Sequence, residues 1–162
     1  MTLPAIEAAI DDIRVAHRDL LRAVDSVAED AWDEASQDPD WTYRDVLAHV
    51  ASNELRVHAR LRSVFGQADE AELKAINDID GWNQRQVEAR RRRSVRDLVD
   101  ELAAHRQETL RLLSDFRPKH LSTPITLADG STCTVLQYID MFAHHQSEHA
   151  AQLAAARRSK TQ

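Results

Sequence analysis

Residues 41–54 read WTYRDVLAHVASNE, and the start of a helix is written into them. Thr42 followed three residues later by Asp45 is the pattern of a capping box, in which the hydroxyl accepts from the third helical N–H and the acid sits at the positive helix end. A helix is therefore expected from here to about Phe65, where Gly66 stops it. On it, Asp45, Val46, Asn53 and Val57 share the general side of His49. That puts a polar ring on a core-facing stripe, where it needs a partner.

Working outward, Leu3, Ile6, Ile10, Ile13, His17, Leu20, Leu21, Val24 and Val27 recur at steps of three and four. They predict an amphipathic helix over about 4–30. The mixed stretch 31–41, with Pro39 and two tryptophans, reads as a loop. Between 67 and 93 the pattern weakens and one or two shorter helices are expected. Ser94 with Asp97 repeats the capping signature, and Leu98, Leu102, His105, Thr109, Leu112, Leu113 and Phe116 predict a long helix over 95–116. The following stretch holds two prolines and the Asp129-Gly130 turn, so a crossover loop is expected, with room for a small hairpin. Thr134 with Gln137 caps a last helix over about 135–157. The reading is an all-α, four-helix bundle with long crossover connections: a single domain over 1–158 and a polar tail over 159–162.

Composition supports this. The 162 residues include 24 Ala against 3 Gly and 4 Pro, and 30% of the chain is charged, which suits long helices and starves a β-sandwich of turn residues. A single cysteine, Cys133, excludes an intrachain disulfide and a Cys-built zinc site, and points to a reducing compartment, the cytoplasm. No apolar run approaches the ~18 residues that cross a bilayer, and the opening MTLPAIEAAIDDIRV carries acids where a signal peptide has its basic region. No membrane partner is expected. A net charge of −6 disfavours nucleic acid, whose phosphates need a basic footprint. The run Arg90 to Arg93, with Arg85 and Arg96 nearby, reads as the one basic cluster, a solvated helix face, with the gathering of an anionic substrate or a partner subunit as the alternative.

Eight histidines matter through their placement. His145 and His149, one helical turn apart, point two imidazoles to one side, whereas His144 is turned about 100° away. With His49 from the other helix they can complete the three-ligand, one-open-position arrangement of a metal site in a bundle core. Neutral imidazoles suit Zn, Ni, Fe or Cu, and the ligand set alone does not choose among them; Zn or Ni is expected first. Asn53, one turn beyond His49, is the candidate for the substrate-pocket wall. Glu148 and Asp45 are candidates to orient a ligand imidazole or to act as base on a metal-bound water, although the capping pattern already accounts for Asp45. His17 and His105 lie on core stripes, in structural roles or lining the same cavity. His58, nine residues past His49, is expected on the opposite, solvent side as a partner of Glu54. Trp41, Tyr43 and Trp82 are expected to close the ends of the core. Cys133, without a flanking base, carries no catalytic role, and no serine-nucleophile, P-loop or dinucleotide fingerprint can be written.

WTYRDVLAHVASNE, INDIDGWNQRQVEARRRRSVRDLVDEL and HHQSEHAAQL, in that order over nearly the whole chain, resemble the DinB-like superfamily of four-helix bundles. That superfamily includes the amino-terminal domain of mycothiol-dependent maleylpyruvate isomerase. The resemblance implies a divalent metal on one His of the second long helix and an HxxxH pair in the last, here His49, His145 and His149. It also implies a metal-dependent enzyme for a small-molecule substrate, either a hydrolase or a transferase or isomerase using a low-molecular-weight thiol, and a homodimer. A non-catalytic, stress-associated bundle that binds a metal or small ligand is the alternative.

Overall fold

The computed structural model describes residues 3–158, with side chains from residue 4. Leu3's place on the first stripe and the tail 159–162 lie outside the described residues and side chains. Four long helices form the bundle: α1 (Leu3–Ser26), α2 (Tyr43–Ser63), α5 (Val95–Ser114) and α7 (Val135–Ala154). The connections hold a 3₁₀ turn (Glu29–Ala31), the short helices α3 (Glu70–Asn77), α4 (Ile79–Glu88) and α6 (Pro118–Leu121), and a hairpin of β1 (Pro124–Thr126) and β2 (Thr132–Thr134). The all-α, four-helix architecture expected from the sequence is what is observed. Capping boxes form at Thr42, Ser94 and Thr134. Gly66 closes α2 with a positive φ of 67°, which lets the Gln67 N–H turn back to the Arg62 carbonyl at 3.0 Å. Gly130, at φ 83°, turns the β1–β2 hairpin.

Two expected helix ends fall short for one shared reason. α1 stops at Ser26 and α7 at Ala154 because the chain beyond each pairs with the other. Val27 forms an antiparallel bridge with Arg158, and the Ala28 N–H donates to the Arg157 carbonyl at 2.8 Å. At the end of α5, Pro118 disfavours helical geometry in the residue before it, and the helix ends at Ser114.

α1 packs chiefly on α7, and α2 on α5. The buried apolar residues form two clusters. One gathers Leu20, Val24, Trp32, Val46, Leu47, Leu98, Leu102 and Leu153, the other Ile6, Ile13, Val57, Leu61, Leu113, Phe116, Ile139 and Phe142. The order in which each helix visits them gives its direction. α1 and α7 run from the second cluster to the first, and α2 and α5 run the other way. Because α2 and α5 are parallel, the chain must climb back between them, and the 64–94 crossover with α3 and α4 does so.

Between the clusters lies a polar layer. Glu54 is fully buried and Arg106 is 4% exposed, and Arg106 Nη2 donates to Glu54 Oε1 at 2.6 Å. Gln146 Nε2 donates to the same oxygen at 2.9 Å, its Oε1 accepts from Arg106, and the Thr109 hydroxyl donates to Glu54 Oε2. His58 Nε2 donates to the Thr109 hydroxyl at 2.9 Å and the His105 carbonyl at 3.0 Å. This corrects the expectation that His58 is a surface partner of Glu54. The far side of α2 is covered by α5 rather than by water, so both residues are interior. His105 is tied to the Ala51 carbonyl at 2.9 Å, a structural role.

The expected solvated face at Arg90 to Arg93 is also largely paired. Arg90 holds Glu101 at 2.6 Å with both side chains nearly buried, Arg93 joins the same carboxylate, and Arg91 pairs with Glu88 at 2.9 Å. Among the described residues, no helix is long and apolar enough to cross a membrane.

Arg106→Leu leaves the Glu54 carboxylate buried and unpaired, and a loss of about 3–5 kcal/mol in urea-unfolding free energy is expected. The double variant with Glu54→Leu should lose less than that single variant. Burial lowers the His58 pKa to about 4, so the native state favours the neutral ring. Its contribution to stability is full above 6.5 and is lost as pH falls from 6.5 through 4. The melting temperature should fall across that window, less steeply in His58→Gln.

Candidate metal centre

α2 supplies His49, one turn beyond its capping box, and α7 supplies His145 and His149, one turn apart on one face. The structure brings all three expected residues together: one ring nitrogen of each lies within 4.8 Å of the others. His145 Nε2 is 3.3 Å from His49 Nε2 and 3.1 Å from His149 Nε2. Nitrogens held 2.0–2.1 Å from a tetrahedral zinc ion sit roughly 3.3 Å apart, so the cluster has the span of such a site.

Hydrogen bonding inside the cluster does not account for it. His149 Nδ1 faces Gln152 Oε1 at 2.9 Å, and a carbonyl oxygen only accepts. Nδ1 therefore carries the ring's proton and Nε2 presents a lone pair. His145 Nε2 touches both neighbours, but it can make a linear hydrogen bond with at most one of them. A cation bound by all three lone pairs removes that conflict. His49 Nδ1 is buried with no hydrogen-bond partner, and with Nε2 as the ligand atom it carries the proton.

Burial and mutual repulsion keep the rings uncharged. The His49 pKa falls well below its usual value through burial and then the charges of His149, His145 and Arg56. Burial, then His149, Arg56 and His144, lower His145 to about 3. His149 is lowered by burial against the opposing pull of Gln152 and Glu148. Neutral imidazole is the form that binds metal, so no proton has to leave first.

The surroundings sort the remaining candidates. Gln152 orients His149 and is itself tied to the Ser36 hydroxyl at 3.5 Å. Neither Glu148 nor Asp45, both expected candidates for that orienting role, takes it. Glu148 points outward to His144 at 3.3 Å, because it lies off the His145–His149 face. Asp45 Oδ2 accepts the Thr42 N–H at 3.1 Å, completing the cap. Trp41 lies against His49, ring centroids 5.0 Å apart, and so closes the site as well as the core. His17 is half-buried, lowered to about 4 by burial and by Arg106, and its Nδ1 has no partner. It stands toward the polar layer rather than in the cluster. Burial raises the Cys133 thiol, making it a poor nucleophile.

A cavity of about 280 Å³ opens beside the cluster, and Asn53 and His145 form part of its wall. Asn53 was the expected pocket residue, and its Nδ2 lies 3.5 Å from His145 Nδ1. The same wall holds Arg56 and Arg60, a second basic group that the sequence reading missed. Their signal was their phase: with His49 and Asn53 they fall at i, i+4, i+7 and i+11 on one face of α2.

A protein-family model described as the DinB superfamily matches residues 12–153. No curated protein and no solved structure matches the chain significantly. Gln152→Leu removes the acceptor that holds His149 in its ligand tautomer, and a fall of about 10- to 100-fold in Zn²⁺ affinity is expected, read by competition with a chromophoric chelator.

Proposed function

The chain belongs to the DinB superfamily, and from that premise we propose that it is a divalent-metal-dependent enzyme acting on a small molecule. In this reading His49, His145 and His149 hold Zn or Ni. The observation that carries the proposal is the convergence of three neutral imidazoles, without a carboxylate among them, one of which, His145, also lines a cavity. Held by three uncharged ligands, a divalent ion would keep its double charge and would supply Lewis acidity for activating a water or thiol nucleophile.

The protein's own groups do the rest. Gln152, anchored by Ser36, fixes the His149 ring. Trp41 shields His49 from solvent on one side. The Asn53 amide, on the cavity wall beside His145, holds a polar group of the substrate. The reaction classes this serves are hydrolysis, and transfer or isomerisation with a low-molecular-weight thiol. The cavity favours such chemistry over simple metal storage, which needs no adjoining space for a second molecule.

Protein purified without a histidine tag should carry close to one equivalent of divalent metal by elemental analysis. His49→Ala, His145→Ala and His149→Ala should each lose it while circular dichroism stays helical. Unchanged occupancy in all three variants would sink the assignment. In cobalt-substituted protein, an added low-molecular-weight thiol should produce a thiolate charge-transfer band if the thiol route is used, and none if water alone is the nucleophile.

A further inference from the structure

The cavity beside the three histidines has two guanidinium groups in its wall, and neither is matched by a carboxylate. Arg56 and Arg60 lie one turn apart on α2, both lining the cavity. Arg56 Nε is buried with no hydrogen-bond partner, and its Nη1 makes only a 3.4 Å contact to Asn53 Oδ1. Arg60 is buried and donates through Nη2 to Asn77 Oδ1. Among the described residues, neither forms an ion pair, although most other interior arginines do: Arg90 holds Glu101 and Arg106 holds Glu54.

The acid in the lining is Asp129, which reaches the same cavity from the hairpin turn. Its Oδ1 is engaged locally, accepting from the Ser131 N–H at 2.9 Å and the Ser131 hydroxyl at 2.6 Å. Tyr138 shares the wall. Burial pushes its phenol up to about 12, so it stays protonated beside two cations, as a donor. The rest of the lining is largely apolar, with Val57, Ile79, Leu127, Met141 and Phe142. A buried and a half-buried cation, a neutral donor and an apolar wall form a site for an oxyanion on an apolar stem.

We propose that Arg56 and Arg60 are the anion-binding end of the substrate cavity, so that the molecule handled at His49, His145 and His149 carries a carboxylate or phosphate group. The inference rests on the metal-centre reading above for what happens at the other end. His49 and Arg56 are seven residues apart on one helix face, about 10 Å along its axis at 1.5 Å per residue. The anion therefore sits about that far from the reacting atom, with an apolar segment between them against Val57 and Phe142.

Calorimetry with 6-mercaptohexanoate and 6-mercaptohexanol on metal-loaded protein tests both ends at once. The acid should bind at least ten-fold more tightly than the alcohol. In Arg56→Gln, and in the double variant with Arg60→Gln, that preference should shrink to within two-fold, with the alcohol's affinity unchanged. Arg56→Lys, which keeps the charge, should retain part of the preference. If Arg60→Gln lowers the melting temperature sharply, Arg56→Gln alone decides, since its side chain is only half-buried.

A second arm, hexanoate against 1-hexanol on metal-stripped protein, reads the arginines without the metal. Hexyl phosphate alongside tells which oxyanion is preferred. Equal affinity for acid and alcohol in wild-type protein in both arms, or a preference untouched by the arginine substitutions, would overturn the anion site. Protein that retains no metal yet binds hexanoate through the arginines would instead overturn the metal centre and leave the anion site standing.

Discussion

The structure turns on a carboxylate and a guanidinium buried together at mid-height in a helical bundle. Glu54 and Arg106 sit between two apolar clusters that would otherwise merge into one core. Desolvating both charges is costly, and a well-packed apolar pair would serve stability as well or better. What the pair supplies is geometry. Ala-rich helix faces slide and rotate against one another with little penalty, whereas a carboxylate that must meet Arg106, Gln146 and Thr109 at once tolerates only one register. α2 contributes Glu54, α5 Arg106 and Thr109, and α7 Gln146, so the network sets the three helices in mutual rotation.

That rotation is what assembles the site. Asn53 precedes Glu54 in the chain, and His145 precedes Gln146, so the residues locked into the polar layer are immediate neighbours of those that face the cavity. A slip of one helical turn between α2 and α7 would satisfy Glu54 poorly and would also separate His49 from His145 by about 5 Å. The three-histidine cluster therefore inherits its precision from a network that touches none of its three rings. The second support is local: Gln152 settles the tautomer of His149 through a neutral amide rather than a carboxylate. With no charge added beside the cluster, the electrophilic character of a bound cation is left undiluted.

How much of this was legible depended on whether a residue followed the usual partition between core and surface. The three capping boxes, the helix stripes and the glycine stop at Gly66 are local chemistry, and each is found where its residues stand. The three histidines could be read because a His pair at i, i+4 and an inward His on a second helix make sense only together. Arg106 was passed over although it lies in phase with Leu98, Leu102 and Leu113 on α5, because a charged residue is by default assigned to water. The same default sent Glu54 and His58 outward, when α2 is covered on nearly every side. The ends of α1 and α7 were out of reach for another reason: they are set by Val27 meeting Arg158, a pairing across almost the whole chain that no local pattern carries.

α2 is thus two things at once. Its far face, with His58 and Glu54, belongs to the polar layer, and another side runs His49, of the histidine cluster, and then Asn53, Arg56 and Arg60, of the cavity wall, in one line. Along that line the chemistry changes in order: a lone-pair donor for a cation, an amide that can donate or accept, then two guanidiniums for an anion. A single straight helix holds these spacings more rigidly than loops could, because each is a multiple of a fixed rise backed by an unbroken ladder of hydrogen bonds. Substituents of opposite demand at the two ends of one helix face fix both the polarity and the length of the molecule that lies along it. In the proposed function this line would act as a ruler for the substrate, and the hairpin carrying Leu127 and Asp129 lines the same cavity from the other side.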